Sequence, residues 1–256
     1  FGEAGRTVVV EEVLDGEELS LIAFSDGKSV VPCEPAQDYK RAFDDDRGPN
    51  TGGMGSYSPV PSCPPELANR IVDEVIEPMV NVVSEEATPF IGALYAGLAL
   101  TARGPRVVEF NARFGDPETQ ALIPRLKSDF AEVCMSAATG SLVGVSLEWD
   151  PRPCVSVVLA SDGYPGSYPT GKEIKGADVA AAHDEVFVFH AGTAEVDGRL
   201  VTSGGRVLAV SALGDTYRRA RELAYRAADM IEFDGKHLRR DIARRAELRA
   251  EPGAST

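Results

Sequence analysis

The feature that most constrains this chain is a pair of strand-like runs joined by a tight turn. Phe90–Leu100 and Arg106–Arg113 flank Arg103-Gly104-Pro105. The first run is almost wholly apolar, as a buried strand requires, and the second returns with Glu109, Asn111 and Arg113 at alternate positions. Alternation places those three side chains on one face. A carboxylate and an amide there offer the oxygen ligands that a hard divalent cation takes when it also shares a phosphate. Arg113 adds a planar cation suited to phosphate or carboxylate oxygens. By itself E-x-N-x-R reads as the polar face of a half-buried strand. The continuation Phe114-Gly115-Asp116-Pro117-Glu118 is too particular for a generic strand exit.

The 256 residues have room for one large or two ordinary domains, and 43% apolar with 26% charged residues is a globular balance. A net charge of −14 argues against nucleic-acid or anionic-membrane surfaces, which need basic patches. Any phosphate must therefore be held locally. Cys33, Cys63, Cys134 and Cys154 form no C-x-x-C pair, so zinc is not expected and a reduced cytoplasmic setting is. No apolar run reaches the roughly 18 residues of a membrane span. The opening Phe1-Gly2-Glu3-Ala4-Gly5 lacks Met and leads straight into a strand-like run, which reads as a piece of something longer.

In order, the pattern predicts strands over Thr7–Leu14, Glu18–Ser25 and Ser29–Pro32 as an antiparallel meander. Residues 34–65 read as loop, and Glu66–Glu86 as a helix kinked at Pro78. Asp116 reads as an N-cap with Pro117 at the first helical position, followed by helices over Glu118–Arg125 and Ser128–Thr139. Trp149-Asp150-Pro151-Arg152-Pro153 is the expected domain boundary, dividing 1–150 from 151–256. Beyond it are strands at Cys154–Ser161, Val186–His190 and Val207–Ser211. Helices are expected at Asp215–Ile231 and Arg239–Arg249.

Three further stretches hold residues that packing does not require. Glu11-Glu12-Val13-Leu14-Asp15-Gly16-Glu17-Glu18 crowds carboxylates around a turn, which alone is a solvated hairpin. Gln37-Asp38-Tyr39-Lys40-Arg41 alone is a surface ion pair. In Gly48-Pro49-Asn50-Thr51-Gly52-Gly53-Met54-Gly55 the glycines would let backbone N–H groups form a nest for an anion, although no Walker sequence follows.

With Glu109–Gln120, these stretches match one family in order and spacing. The chain resembles the glycinamide ribonucleotide synthetase (phosphoribosylamine–glycine ligase) family of the ATP-grasp superfamily. The likeness continues through Gly163-Tyr164-Pro165-Gly166, His190-Ala191-Gly192-Thr193 and Gly204-Gly205-Arg206 to Arg240-Asp241-Ile242. It implies an α+β fold: a partial ATP-grasp domain, antiparallel sheet with flanking helices, then a small mixed α/β C-terminal domain. It also implies an ATP-dependent ligase that joins glycine to 5-phosphoribosylamine through glycyl phosphate, using ATP and Mg²⁺ (or Mn²⁺). By position, Glu11, Glu12, Val13 and Leu14 would read adenine, and Glu17 or Glu18 the ribose. Glu109 and Asn111 would hold the metal, and Arg113 and Lys40 the phosphate and carboxylate oxygens. Asp38, Asn50, Thr51, Gly52, Gly53, Met54, Gly55 and Asp116 would face the two smaller substrates. The family carries a Rossmann-like domain and a glycine-rich lid before the position of Phe1. Another ATP-grasp carboxylate–amine ligase, or a non-catalytic fragment, stays open on the sequence alone.

Overall fold

Two antiparallel sheets carry the fold of residues 2–86 and 88–250, which the computed structural model describes. The first has the order β2 (Val30–Pro32), β1 (Glu17–Asp26), β7 (Ile91–Thr101), β8 (Gly104–Asn111). Along β1 the apolar side chains alternate between two cores. Leu19, Leu21 and Ala23 enter one, Ile22 and Phe24 the other, so both faces of this sheet are covered.

The second sheet is assembled from distant segments. Its order is β10 (Val186–His190), β13 (Arg206–Leu213), β9 (Cys154–Ser161), β6 (Gly55–Ser58), β3 (Gln37–Asp38), with β14 (Lys236–His237) also pairing β9. Strands from both sides of residue 150 therefore share one ladder. Residues 149–153 are tied down as well: the buried Arg125 donates to the Asp150 and Arg152 carbonyls and to Ser58 Oγ. Two small hairpins complete the strands, β4 (Arg41–Phe43) with β5 (Arg47–Asn50) and β11 (Thr193–Val196) with β12 (Arg199–Thr202).

The helices are α1 (Pro65–Ile71), α2 (Glu77–Glu86), α3 (Glu118–Leu122), α4 (Phe130–Ala138), α5 (Ala177–Ala181), α6 (Tyr217–Met230) and α7 (Arg244–Ala250). Thr216 caps α6 by accepting from the Arg219 N–H, a bond of about 1 kcal/mol. The buried face of α6 holds Ala220, Ala224, Ala227 and Ala228, small enough for the helix to lie close on β9 and β13. The kink expected at Pro78 occurs as one wide turn over Val72–Ile76, where the Glu77 N–H reaches back to Val72 O. That turn lies just before the residue that has no N–H to donate.

Two local expectations are corrected. Thr7–Leu14 forms no ladder; Val8, Val9, Val10 and Val13 are exposed, and β1 begins only at Glu17. The opening meander is therefore β1 and β2, with β7 on the other side of β1. Residues 34–65, expected as loop, contain four short strands, each held by a partner remote in sequence or by a tight hairpin. The tail beyond residue 250 lies outside the described residues.

Candidate active site

The end of β8 gives the expected geometry. A bulge lets Glu109 face Gly97 while Val107 faces Leu98, and Asn111 Nδ2 donates to Glu109 Oε1 at 3.1 Å. Both side chains thus share a face. Glu109 is exposed, and that amide is its only bonded partner among the described residues. Arg113 is exposed too, with one donor on its neighbour's carbonyl, Phe114 O, at 2.9 Å.

Beside this strand lies a cleft of about 690 Å³ between the extended segment and β7–β8, lined by Glu11, Leu14, Glu18, Ala99, Val107 and Val108. Its charged lining is mostly acidic, with Arg106 also present. Glu12, also on the cleft, is anchored by Arg103 at 2.9 Å. Alternation on β1 separates the two expected ribose acids. Glu18 lines the cleft and pairs with Lys40 Nζ at 2.5 Å. Glu17 points away to Arg249, which holds its carboxyl below the usual range, so Glu17 is not among the residues gathered at the cleft. Val13 is exposed at 93% and is not on the cleft lining.

Behind Lys40 is a carboxylate pair that the motif reading half missed. Glu118, expected only as a first-turn acid, is buried and accepts from Ser20 Oγ and Tyr95 Oη at 2.9 Å each. Burial, with Glu118 as neighbour, pushes Asp38 up to about 7. Lys40 stays above its ordinary value, although desolvation pulls it down, because Asp38, Glu18 and Glu109 surround it. The isolated signal at Glu118, one acid after Asp-Pro, could not reveal two hydroxyls from β1 and β7.

The glycine-rich loop differs most from expectation. Every backbone N–H from Thr51 to Met54 is already engaged: on Lys40 O, Tyr164 Oη, Thr51 Oγ1 and Tyr39 O in turn. No open anion nest is present there. The glycines serve close approach instead. A Cβ at Gly53 (φ +109°) would lie 2.3 Å from Pro117 Cδ, and one at Gly55 would lie 2.6 Å from Ser156 O. Met54 is fully buried and belongs to the packing, while Asn50 stays exposed. Asp116 does not cap α3, because Pro117 takes the cap position and no side chain bonds there. Its carboxylate accepts instead from Gln120 Nε2 at 2.9 Å and Arg206 Nη2 at 3.0 Å.

The acidic and amide oxygens on β8 fit a Mg²⁺ ion that takes one or two protein ligands and fills its shell with water and phosphate. Among the described residues no group of three His, Cys, Asp or Glu forms a complete metal cage. The donor set is one that needs a nucleotide to finish it.

Comparison with known proteins places the chain in a family. A model of the phosphoribosylglycinamide synthetase ATP-grasp (A) domain matches residues 1–119, and one of the C domain of the same synthetase matches residues 154–245. The chain belongs to the phosphoribosylglycinamide synthetase family. Among relatives of this family, the phosphoribosylamine–glycine ligase of Caldanaerobacter subterraneus is 49% identical over 95% of this chain and 58% of its own length. That of Streptomyces coelicolor is 52% identical over 93% and 58%. The chain thus spans less than two thirds of these synthetases. The crystal structure of Thermotoga maritima phosphoribosylamine–glycine ligase superposes with a TM-score of 0.81 at 39% identity, covering 90% of this chain and 56% of that one. A biotin carboxylase domain of Hydrogenobacter thermophilus 2-oxoglutarate carboxylase, solved with MgADP, shares the fold at a TM-score of 0.63 and 13% identity, covering 87% of this chain and 47% of that one. The α+β, ATP-grasp architecture is that of the family. Among the described residues no helix is long and apolar enough to cross a membrane.

Proposed function

We propose that this chain supplies the metal-binding strand, one wall of the nucleotide cleft and the substrate-facing loops of an ATP-dependent carbon–nitrogen ligase. The reaction joins glycine to 5-phosphoribosylamine to form glycinamide ribonucleotide. The observation that carries the proposal is the end of β8: Glu109 and Asn111 lie side by side, little engaged, beside a cleft rimmed by Glu18. The segment from Glu11 to Leu14 contributes backbone groups and Leu14 to an adenine site, and Glu18 is placed for ribose hydroxyls.

In the first step a carboxylate oxygen of glycine attacks the γ-phosphorus of ATP, and ADP leaves. In the second, the phosphoribosylamine nitrogen attacks the acyl carbon of glycyl phosphate; the C–O bond breaks, phosphate leaves and the nitrogen loses a proton. Such transfers need positioning and charge stabilisation more than covalent help from protein. Mg²⁺ held by Glu109 and Asn111 would neutralise charge on the phosphate oxygens. Arg113 and Lys40 orient phosphate and carboxylate oxygens. Asp38, whose pKa lies near neutrality, suits the proton that the attacking amine sheds. Asn50 and Thr51 face the smaller substrates.

The test is phosphate release from ATP by the full-length protein. Release is expected only when glycine and phosphoribosylamine are both present. Faster release with a different amino acid would overturn the substrate assignment.

A further inference from the structure

We propose that Arg206 is a positioning residue for the two smaller substrates. It locks the glycine-rich loop to the strand exit, so that the substrate face keeps a single shape. This rests on the proposed function.

Arg206 opens β13, where the register slips from Arg206↔Ala160 to Leu208↔Leu159.

 A bulge of this kind re-aims the side chain beside it. The guanidinium then bridges two segments far apart in the chain. Nη1 donates to Gly52 O at 2.5 Å and to Asp116 O at 2.7 Å, and Nη2 donates to Asp116 Oδ2 at 3.0 Å. Tyr164 closes the loop from the same side, its hydroxyl accepting the Gly52 N–H at 2.9 Å. The contact is tight: a Cβ at position 52 would lie 3.0 Å from Arg206 Cζ and 3.2 Å from Tyr164 Oη, so both side chains would have to give way slightly.

The bridged segments carry the polar side chains that the protein leaves little engaged, Asn50 on the loop and Arg113 before the strand exit. Arg206 itself is engaged at both ends of its fork and has only 22% of its side chain exposed, so it holds the protein in shape and is not free to hold a ligand. A planar fork can bond a carbonyl and a carboxylate in fixed directions at once; the single ammonium of lysine cannot. Loss of the fork would let the loop and the strand exit drift apart. A misplacement of about 1 Å at a substrate-positioning face costs on the order of a hundredfold in rate.

The experiment compares Arg206→Ala and Arg206→Lys with wild type in the full-length protein, with two readouts. Hydrogen exchange at Gly52 and Gly53 should speed up in both variants while the amides of β9 keep wild-type protection. The KM values for glycine and phosphoribosylamine should rise on the order of tenfold while that for MgATP changes less than about twofold, and millimolar guanidinium should partly restore the alanine variant. Unchanged exchange at the loop, or KM values that rise equally for all three substrates, would overturn the proposal. Failure of the wild type to form the amide would overturn the proposed function and the positioning role together, whereas an active wild type with an indifferent Arg206→Ala variant would overturn the positioning role alone.

Discussion

The end of β8 and the start of β13 are built alike and used differently. Each strand has a bulge next to the polar residue that it presents at the site. At the end of β8 the polar groups are left over: among the described residues Glu109 is hydrogen-bonded only by the Asn111 amide, and Arg113, just beyond the strand, only to the carbonyl of the next residue. On β13 the guanidinium of Arg206 is engaged with the loop and the strand exit. Polar groups left unengaged at a cleft are available to a ligand, whereas engaged ones hold the walls. Arg239 falls among the engaged groups as well. Arg239 has a fully buried side chain that pairs with Asp46 and Asp241 and stacks 4.8 Å over Tyr39.

The contrast can be broken by stability measurements. The largest effect is expected at Arg239→Ala, which takes both guanidinium bonds from Asp241 and leaves Arg245 alone over Tyr39; urea unfolding should show a loss of about 3 kcal/mol. A loss below about 1 kcal/mol would mean that the buried cation does not hold the segment around Tyr39. Gly53→Ala should cost about 2 kcal/mol, because its φ of +109° and the 2.3 Å approach to Pro117 both oppose a side chain. Unaltered stability there would return the loop to the role of a flexible anion nest.

Smaller still is a pH effect at Asp38. Its carboxyl is pushed up to about 7 in the fold, so the folded protein holds a proton that the unfolded chain releases near 4. The associated stability is fully present below about 4 and is lost as pH rises through about 7. Asp38→Asn should flatten the fall in melting temperature across that window; an unchanged profile would place the carboxyl in a more ordinary environment. Asn50→Ala is expected to move stability by less than about 0.5 kcal/mol, as an exposed side chain without bonds should. A larger loss, read in the same urea titration, would show that Asn50 belongs to the walls.

The sequence was legible wherever a local rule decided the outcome. Period-two alternation sufficed for β7 and β8 and correctly placed Glu109 beside Asn111, although the turn between them is Ala102-Arg103 and Gly104-Pro105 already belong to β8. The apolar run Cys154–Ser161 is β9 to the residue, and the small-residue face of α6 follows its helical period. What could not be read is settled by partners remote in sequence. Val8–Val10 have strand propensity, but no strand among the described residues pairs with them. The glycines at 52–55 look like a nest until Tyr164, Pro117 and Ser156 are set against them. Glu118 and Arg206 are ordinary acid and cation symbols whose meaning depends on Ser20, Tyr95 and Asp116. Asp116 obeyed the N-cap pattern but found a stronger partner in a guanidinium.

The central claim is that the little-engaged pair on β8 holds the metal. The direct measurement is turnover of full-length Glu109→Gln and Asn111→Ala as a function of Mg²⁺ concentration, with melting temperature recorded alongside. The account predicts a loss on the order of a hundredfold at fixed Mg²⁺, partly regained as Mg²⁺ is raised, with melting unchanged in the absence of ligand. Near-normal turnover in both variants at every Mg²⁺ concentration would contradict it.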